Sequence, residues 1–150
     1  MDNSLPRLYL DTTIPSAYYN ERQWERQQFT QRIWHEKLPN YHLVISNITA
    51  KELGATKNRR RKNKLLALVR RIDLCTQTPA CKALANEYLK FLVMPQYDAF
   101  HIANATVFEC EILLSWNFTH MVKPANRKMI NDVNISHGYK PLMIISPYQL

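Results

Sequence analysis

Short apolar runs recur along this chain, each closed by a polar residue or a proline and separated by longer stretches of helical spacing. Leu8-Tyr9-Leu10 ends at Asp11, and Leu43-Val44-Ile45 ends at Ser46-Asn47. A weaker run covers residues 73–76. Ile112-Leu113-Leu114 ends at Ser115-Trp116-Asn117, and residues 142–145 are closed by Pro147. Apolar runs this short read as buried strands. The stretches between them read as helices. Phe29, Ile33 and Trp34 form one stripe. Leu65, Leu68, Val69 and Ile72 form a second, and Ala83, Leu84, Tyr88 and Phe91 a third. Ala99, Ile102, Ala103, Thr106 and Cys110 form the last. Strands alternating with helices predict an α/β sandwich with a mostly parallel sheet. In such sheets ligands bind beyond the carboxyl ends of the strands. The 150 residues fit a single domain, 1–150, and a hydrophobic content of 46% is enough to bury a core without staples.

Glycine excludes several functions. Only Gly54 and Gly138 occur, 84 residues apart. No Gly-rich phosphate loop, dinucleotide fingerprint or Gly-x-Ser-x-Gly elbow can be built from them. The cysteines, Cys75, Cys81 and Cys110, are odd in number and lack metal spacing. They read as reduced thiols of a cytoplasmic protein. No apolar run approaches ~18 residues, and the first residues lack a signal-peptide pattern, so no membrane association is expected.

The charge is concentrated. Residues 57–71 carry eight basic side chains and no acid, which equals the net charge of +8 for the whole chain. A neutral globule with one basic block suggests a polyanionic partner, RNA above all, contacted by Arg59, Arg60, Arg61, Lys62 and Lys64. A solvated helix face or a mobile loop is the plainer reading of the same block.

The acids fall at telling places on the expected scaffold. Asp11 ends the first strand, and Asn117 lies just past the Ile112 strand. Glu52 lies about one turn into the helix after the second strand, and Asp98 lies near the start of the Pro95 helix. Three carboxylates and an amide on one sheet edge would suit Mg²⁺ or Mn²⁺. Each residue also has a structural reading. Asp11 could cap the next helix. Thr49-x-x-Glu52 fits a capping box, Asp98 could complement a helix dipole, and Asn117 could belong to a turn.

Four stretches together resemble the PIN-domain ribonucleases, which include the VapC-like toxins. They are Leu8 to Thr13, Ile45 to Leu53, Tyr97 to Ala105 and Ile112 to Asn117. The third is the most specific, being similar to the family's Asp-Ala-x-His-Ile-Ala helix. The resemblance implies a five-stranded parallel sheet between helices, Mg²⁺-dependent RNA cleavage and frequent homodimers. It implies Asp11, Glu52 and Asp98 as acidic metal ligands, with Asn117 as the fourth catalytic position and Thr13 and Ser46 in support. Many relatives have Asn at Thr13 and Asp at Asn117. An amide oxygen supplies no charge, so the sequence weakens the case for a second metal ion.

His101 lies three residues after Asp98 on the same helix side. It could act as a general base, but the resemblance makes it a supporting residue. His120 is placed to brace the loop after Asn117. His35, His42 and His137 read as surface residues, and Trp24, Trp34 and Trp116 as core or interface. The leading expectation is a Mg²⁺- or Mn²⁺-dependent endoribonuclease. A further reading makes it the toxin of a toxin–antitoxin pair with an antitoxin protein as partner. A PIN-like RNA- or protein-binding module with weak or no nuclease activity is the alternative that Asn117 supports.

Overall fold

A computed structural model describes residues 4–150. The strands are β1 (Arg7–Leu10), β2 (His42–Ser46), β3 (Asp73–Cys75), β4 (Ile112–Leu114) and β5 (Met143–Ile145). The helices are α1 (Thr13–Tyr18), α2 (Trp24–Glu36), α3 (Asn47–Gly54), α4 (Arg59–Val69), α5 (Pro79–Leu89), α6 (Gln96–Val107) and α7 (Pro124–Ser136). The five strands form one sheet in the order β3-β2-β1-β4-β5, and every pair is parallel.

Alternation along the strands makes this a three-layer sandwich. Leu8 and Leu10 point into one core with Ile14, Ile33, Leu53 and Leu65, while Tyr9 points into the other with Leu84, Tyr88, Ile102 and Ile130. Helices α1 to α4 contribute to the first layer and α5 to α7 to the second. Successive side chains of a strand face opposite sides, so one short apolar run supplies both cores. Full burial of such residues contributes about 1.5–3 kcal/mol each.

The strand order creates a switch point. The chain runs outward from β1 through β2 to β3, then crosses back to place β4 on the other side of β1. The two strands stay paired to their last residues, but the chain leaves β1 toward α1 on one face and β4 toward α7 on the other, leaving a crevice outside their carboxyl ends.

Several local expectations change. The cap of α3 is Ser46, whose hydroxyl accepts from the amide of Ile48. Thr49 therefore lies inside the helix, buried, and the Thr49–Glu52 capping box does not form. The basic block opens a helix, α4, capped by the Asn58 side chain. Ala83 and Phe91 belong to the exposed side of their stripe, because the core-facing row of α5 is Cys81, Leu84, Ala85 and Tyr88. His42 is not a surface residue, since it is half-buried and pairs with Asp73 across neighbouring strands. Trp24 is exposed, whereas Trp116 is buried. The three cysteines are free. Among the described residues, no helix is long and apolar enough to cross a membrane.

Candidate active site at the carboxyl edge of the sheet

The register of β1 against β4 pairs Leu10 with Leu114, so the next residues, Asp11 and Ser115, emerge side by side at the crevice. The Ser115 hydroxyl donates to Asp11 Oδ2 at 2.5 Å. Thr13 donates to Asp11 Oδ1 through its amide at 3.0 Å and its hydroxyl at 2.5 Å. Asp11 is not the cap of α1, which is Thr12; it ties down Thr13 from the residue before the cap, and its second oxygen reaches across the switch point. Burial pushes the Asp11 carboxyl above the ordinary range, against the pull of His101 and its hydrogen bonds.

Ser115 carries the connection onward. Its oxygen accepts the amide N–H of Asn117 at 2.9 Å. The Asn117 side-chain NH₂ donates to Asp98 Oδ2 at 3.0 Å, and its carbonyl oxygen accepts from the backbone of His120 at 2.9 Å. These two partners fix the amide orientation, because only the nitrogen can donate to a carboxylate. Burial is the largest influence on Asp98 and raises its pKa. The nearby Glu52 charge acts in the same direction, while Asn117, His120 and His101 oppose it.

A second network approaches from the other side of β1. His101 is buried on α6, with Nδ1 at 2.7 Å from the Tyr9 hydroxyl and Nε2 at 2.6 Å from Glu52 Oε1. Tyr9 continues to the Ser46 hydroxyl at 2.8 Å. The Thr12 hydroxyl donates to the same Glu52 oxygen at 2.8 Å. Burial pushes the Glu52 carboxyl up, but the hydrogen bond and charge of His101, with the Thr12 hydroxyl, outweigh it. The net direction is down.

The sheet thus brings Asp11, Glu52, Asp98, Asn117, Thr13, Ser46 and His101 to one edge, joined by two hydrogen-bonded chains. Sequence reasoning passed over Ser115, Tyr9 and Thr12. Aligning the ends of the Leu8–Leu10 and Ile112–Leu114 runs would have paired Ser115 with Asp11; nothing comparable marks Tyr9.

The basic residues separate in role. The Arg61 guanidinium donates to the carbonyls of Tyr19 at 2.8 Å and Ser16 at 3.1 Å, so it joins α4 to the α1 end. Arg59, Arg60 and Lys64 are exposed, and Lys62 is half-buried. Lys64 lies 5.7 Å from the Tyr19 ring.

Among the described residues, no three His, Cys, Asp or Glu side chains gather as a group able to hold a metal ion. Each carboxylate is instead held by its own donors. Carboxylate oxygen is nevertheless the donor type that a hard cation takes.

No protein-family model matches the chain, and no curated protein matches it. Solved structures do. The VapBC-1 structure from nontypeable Haemophilus influenzae superposes with a TM-score of 0.62 at 18% identity, covering 95% of this chain and 98% of the other. Mycobacterium tuberculosis VapC20, described as a sarcin-ricin loop cleaving toxin, gives 0.60 at 17%, covering 75% and 91%. VapBC2 from Rickettsia felis, bound to a DNA fragment from its promoter, gives 0.59 at 14%, covering 93% and 98%. The fold is the VapC-like PIN-domain fold.

Proposed function

We propose that the protein is a divalent-metal-dependent endoribonuclease, with Asp11, Glu52 and Asp98 holding Mg²⁺ or Mn²⁺. The observation that carries this reading is the convergence of Asp11, Asp98, Asn117 and Glu52 at the sheet's switch point through two hydrogen-bonded networks. A bound cation there supplies Lewis-acid polarisation of a phosphoryl oxygen and lowers the pKa of a water. The protein's own residues do the positioning. Thr13 and Ser115 aim Asp11, His101 and Thr12 hold Glu52 ionised, and Asn117 orients Asp98.

Helix α4 supports an RNA substrate. Arg59, Arg60 and Lys62 occupy its first turn beside the inward-bonded Arg61, and that turn holds no acid. Cations there oppose the helix dipole, a placement that costs local stability and suits an incoming phosphate backbone. Likeness to the two VapBC structures extends the reading to an antitoxin partner, and a homodimer is proposed from the sequence resemblance alone. Exposed Phe91, Val93 and Tyr97 offer apolar surface for such contacts.

The test is cleavage of single-stranded RNA with Mg²⁺, with Mn²⁺ and with EDTA, by wild type and Asp98→Asn. Cleavage by wild type alone, abolished by EDTA, is expected. Binding without metal-dependent cleavage would instead establish the non-catalytic module that Asn117 allows.

A further inference from the structure

Asn117 is flanked by two aromatic residues, and the nuclease reading uses neither. Trp116 is buried, with its indole N–H on the Thr30 hydroxyl at 2.9 Å. Phe118 is 44% exposed, and beside it lies Tyr148, 61% exposed. The Phe118 and Tyr148 rings are near parallel, at 22°, with centroids 6.5 Å apart. Tyr148 is braced by edge contacts to Phe29 and Trp116, at 4.9 and 5.0 Å. Phe118 is fixed through its backbone, which bonds Trp116, and through the turn that Asn117 closes. Large aromatic rings held rigidly at a surface lose little entropy on binding.

Charge lies on the same patch. The Arg26 guanidinium sits 4.7 Å from the Trp116 ring and 5.9 Å from Phe118. Arg32 lies 5.0 Å from Phe29. A cleft of about 320 Å³, lined by Thr12, Thr13, Arg26, Glu52 and Trp116 among others, runs from Arg26, the cation beside Phe118, to the Glu52 carboxylate.

We infer that Phe118 and Tyr148 form a stacking platform for an unpaired RNA base next to the scissile phosphate, with Arg26 taking a neighbouring phosphate. This rests on the nuclease reading for its substrate. The occupant follows from the adjacency of Phe118 to Asn117 and from Arg26, whose guanidinium lies beside the Phe118 ring and lines the cleft that reaches Glu52. Aromatic rings with an adjacent guanidinium are the arrangement that binds single strands, because every base offers a π-face. Such a platform reads no base edge, so it demands an unpaired nucleotide without dictating which one.

The test uses the full chain in EDTA, so that binding is read without cleavage. Short single-stranded RNAs carry 2-aminopurine at successive positions. One position should be quenched on binding. Phe118→Ala and Tyr148→Ala should each weaken binding by roughly five- to 150-fold and restore that fluorescence, with an unchanged salt slope. Phe118→Trp should bind like wild type, and Arg26→Gln should flatten the salt slope by about 0.7. Thermal unfolding confirms that the exposed substitutions fold. Binding by both alanine variants within twofold of wild type overturns the platform. So does wild-type-like binding by Phe118→Leu, or a dimer that Phe118→Ala dissociates, which would assign the patch to protein contact. If Phe118→Ala loses RNA while wild type fails to cleave with Mg²⁺, the platform stands and the nuclease reading falls. If wild type cleaves but the alanine variants bind normally, only the platform falls.

Discussion

The sheet carries a histidine–carboxylate pair near each edge, and the two pairs are alike in length and in using Nε2 but differ in burial and in what lies beyond them. At the carboxyl edge His101 meets Glu52 at 2.6 Å; at the amino edge His42 meets Asp73 at 2.5 Å. His101 is 3% exposed in its side chain and its second nitrogen is engaged by Tyr9, which continues to Ser46. The His42–Asp73 pair ties the starts of two neighbouring strands, and Asp73 is 44% exposed. A cavity of about 600 Å³ lies beside the amino-edge pair, lined by Leu5, Trp34, Leu68 and Arg71 among others. Neither a close pair nor a large hollow therefore marks the chemistry. The carboxyl-edge pair stands out because its network ends at the switch point, beside Asp11, Thr13, Asp98, Ser115 and Asn117.

Exchange of the two histidines tests this contrast most severely. His101→Gln should lower cleavage by about 10- to 100-fold, the usual effect of losing a group that orients a ligand. The milder Tyr9→Phe, which frees the second ring nitrogen, should lower it by less. His42→Gln should leave cleavage within twofold. A single-turnover assay on all three decides. Equal losses at His42 and His101 would remove the distinction between the edges.

A smaller effect concerns pH. Asp98 has a raised carboxyl pKa in the fold, chiefly through burial, so its ionised form costs the native state stability. That cost is absent below the ordinary carboxylate value of about 4 and complete above the folded value. Asp98→Asn removes the charge and still accepts the Asn117 hydrogen bond. The variant should match wild type near pH 3 and melt a few degrees higher near pH 7. Glu52 has the opposite sign: its lowered pKa gives stability that disappears as acid protonates it. Thermal melts from pH 3 to 8 separate the two.

The smallest effect belongs to the amino edge. A double-mutant cycle on His42→Gln and Asp73→Asn should give a coupling of about 1 kcal/mol or less, because solvent reaches Asp73. A larger coupling would mean that this pair organises the sheet rather than decorating it.

How much of this was readable in advance depended on whether a residue's role lay in its own segment. Asp11 and Asn117 stand at strand ends and Asp98 in the first turn of a helix, so a parallel sheet alone sends them to one edge, whereas Glu52 lies in the last turn of α3 and is tied to that edge by Thr12 and His101. The roles of Ser115, Tyr9 and Thr12 depend on which strand lies beside which, and strand order is a long-range property. Tyr9 sits in an apolar run and looks like core; only its hydroxyl distinguishes it. Thr49 misled because the i,i+3 spacing with Glu52 fits a cap, while Ser46 already supplied one. Arg61 was hidden in a run of three arginines, and only the α1 carbonyls facing it show which of the three is internal. His42 read as surface because its partner Asp73 is 31 residues away.

The bond between Asp11 and Ser115 joins residues 104 positions apart. During synthesis the first strand leaves the ribosome with its aspartate long before the fourth strand exists. Closing a loop of that length precedes any reward from the contacts it brings, so the edge assembles late. Tyr9 meets the same delay, since its histidine lies 92 residues downstream. A growing chain therefore carries the parts of the centre in the wrong company, and their correct neighbours arrive only once most of the protein has been made.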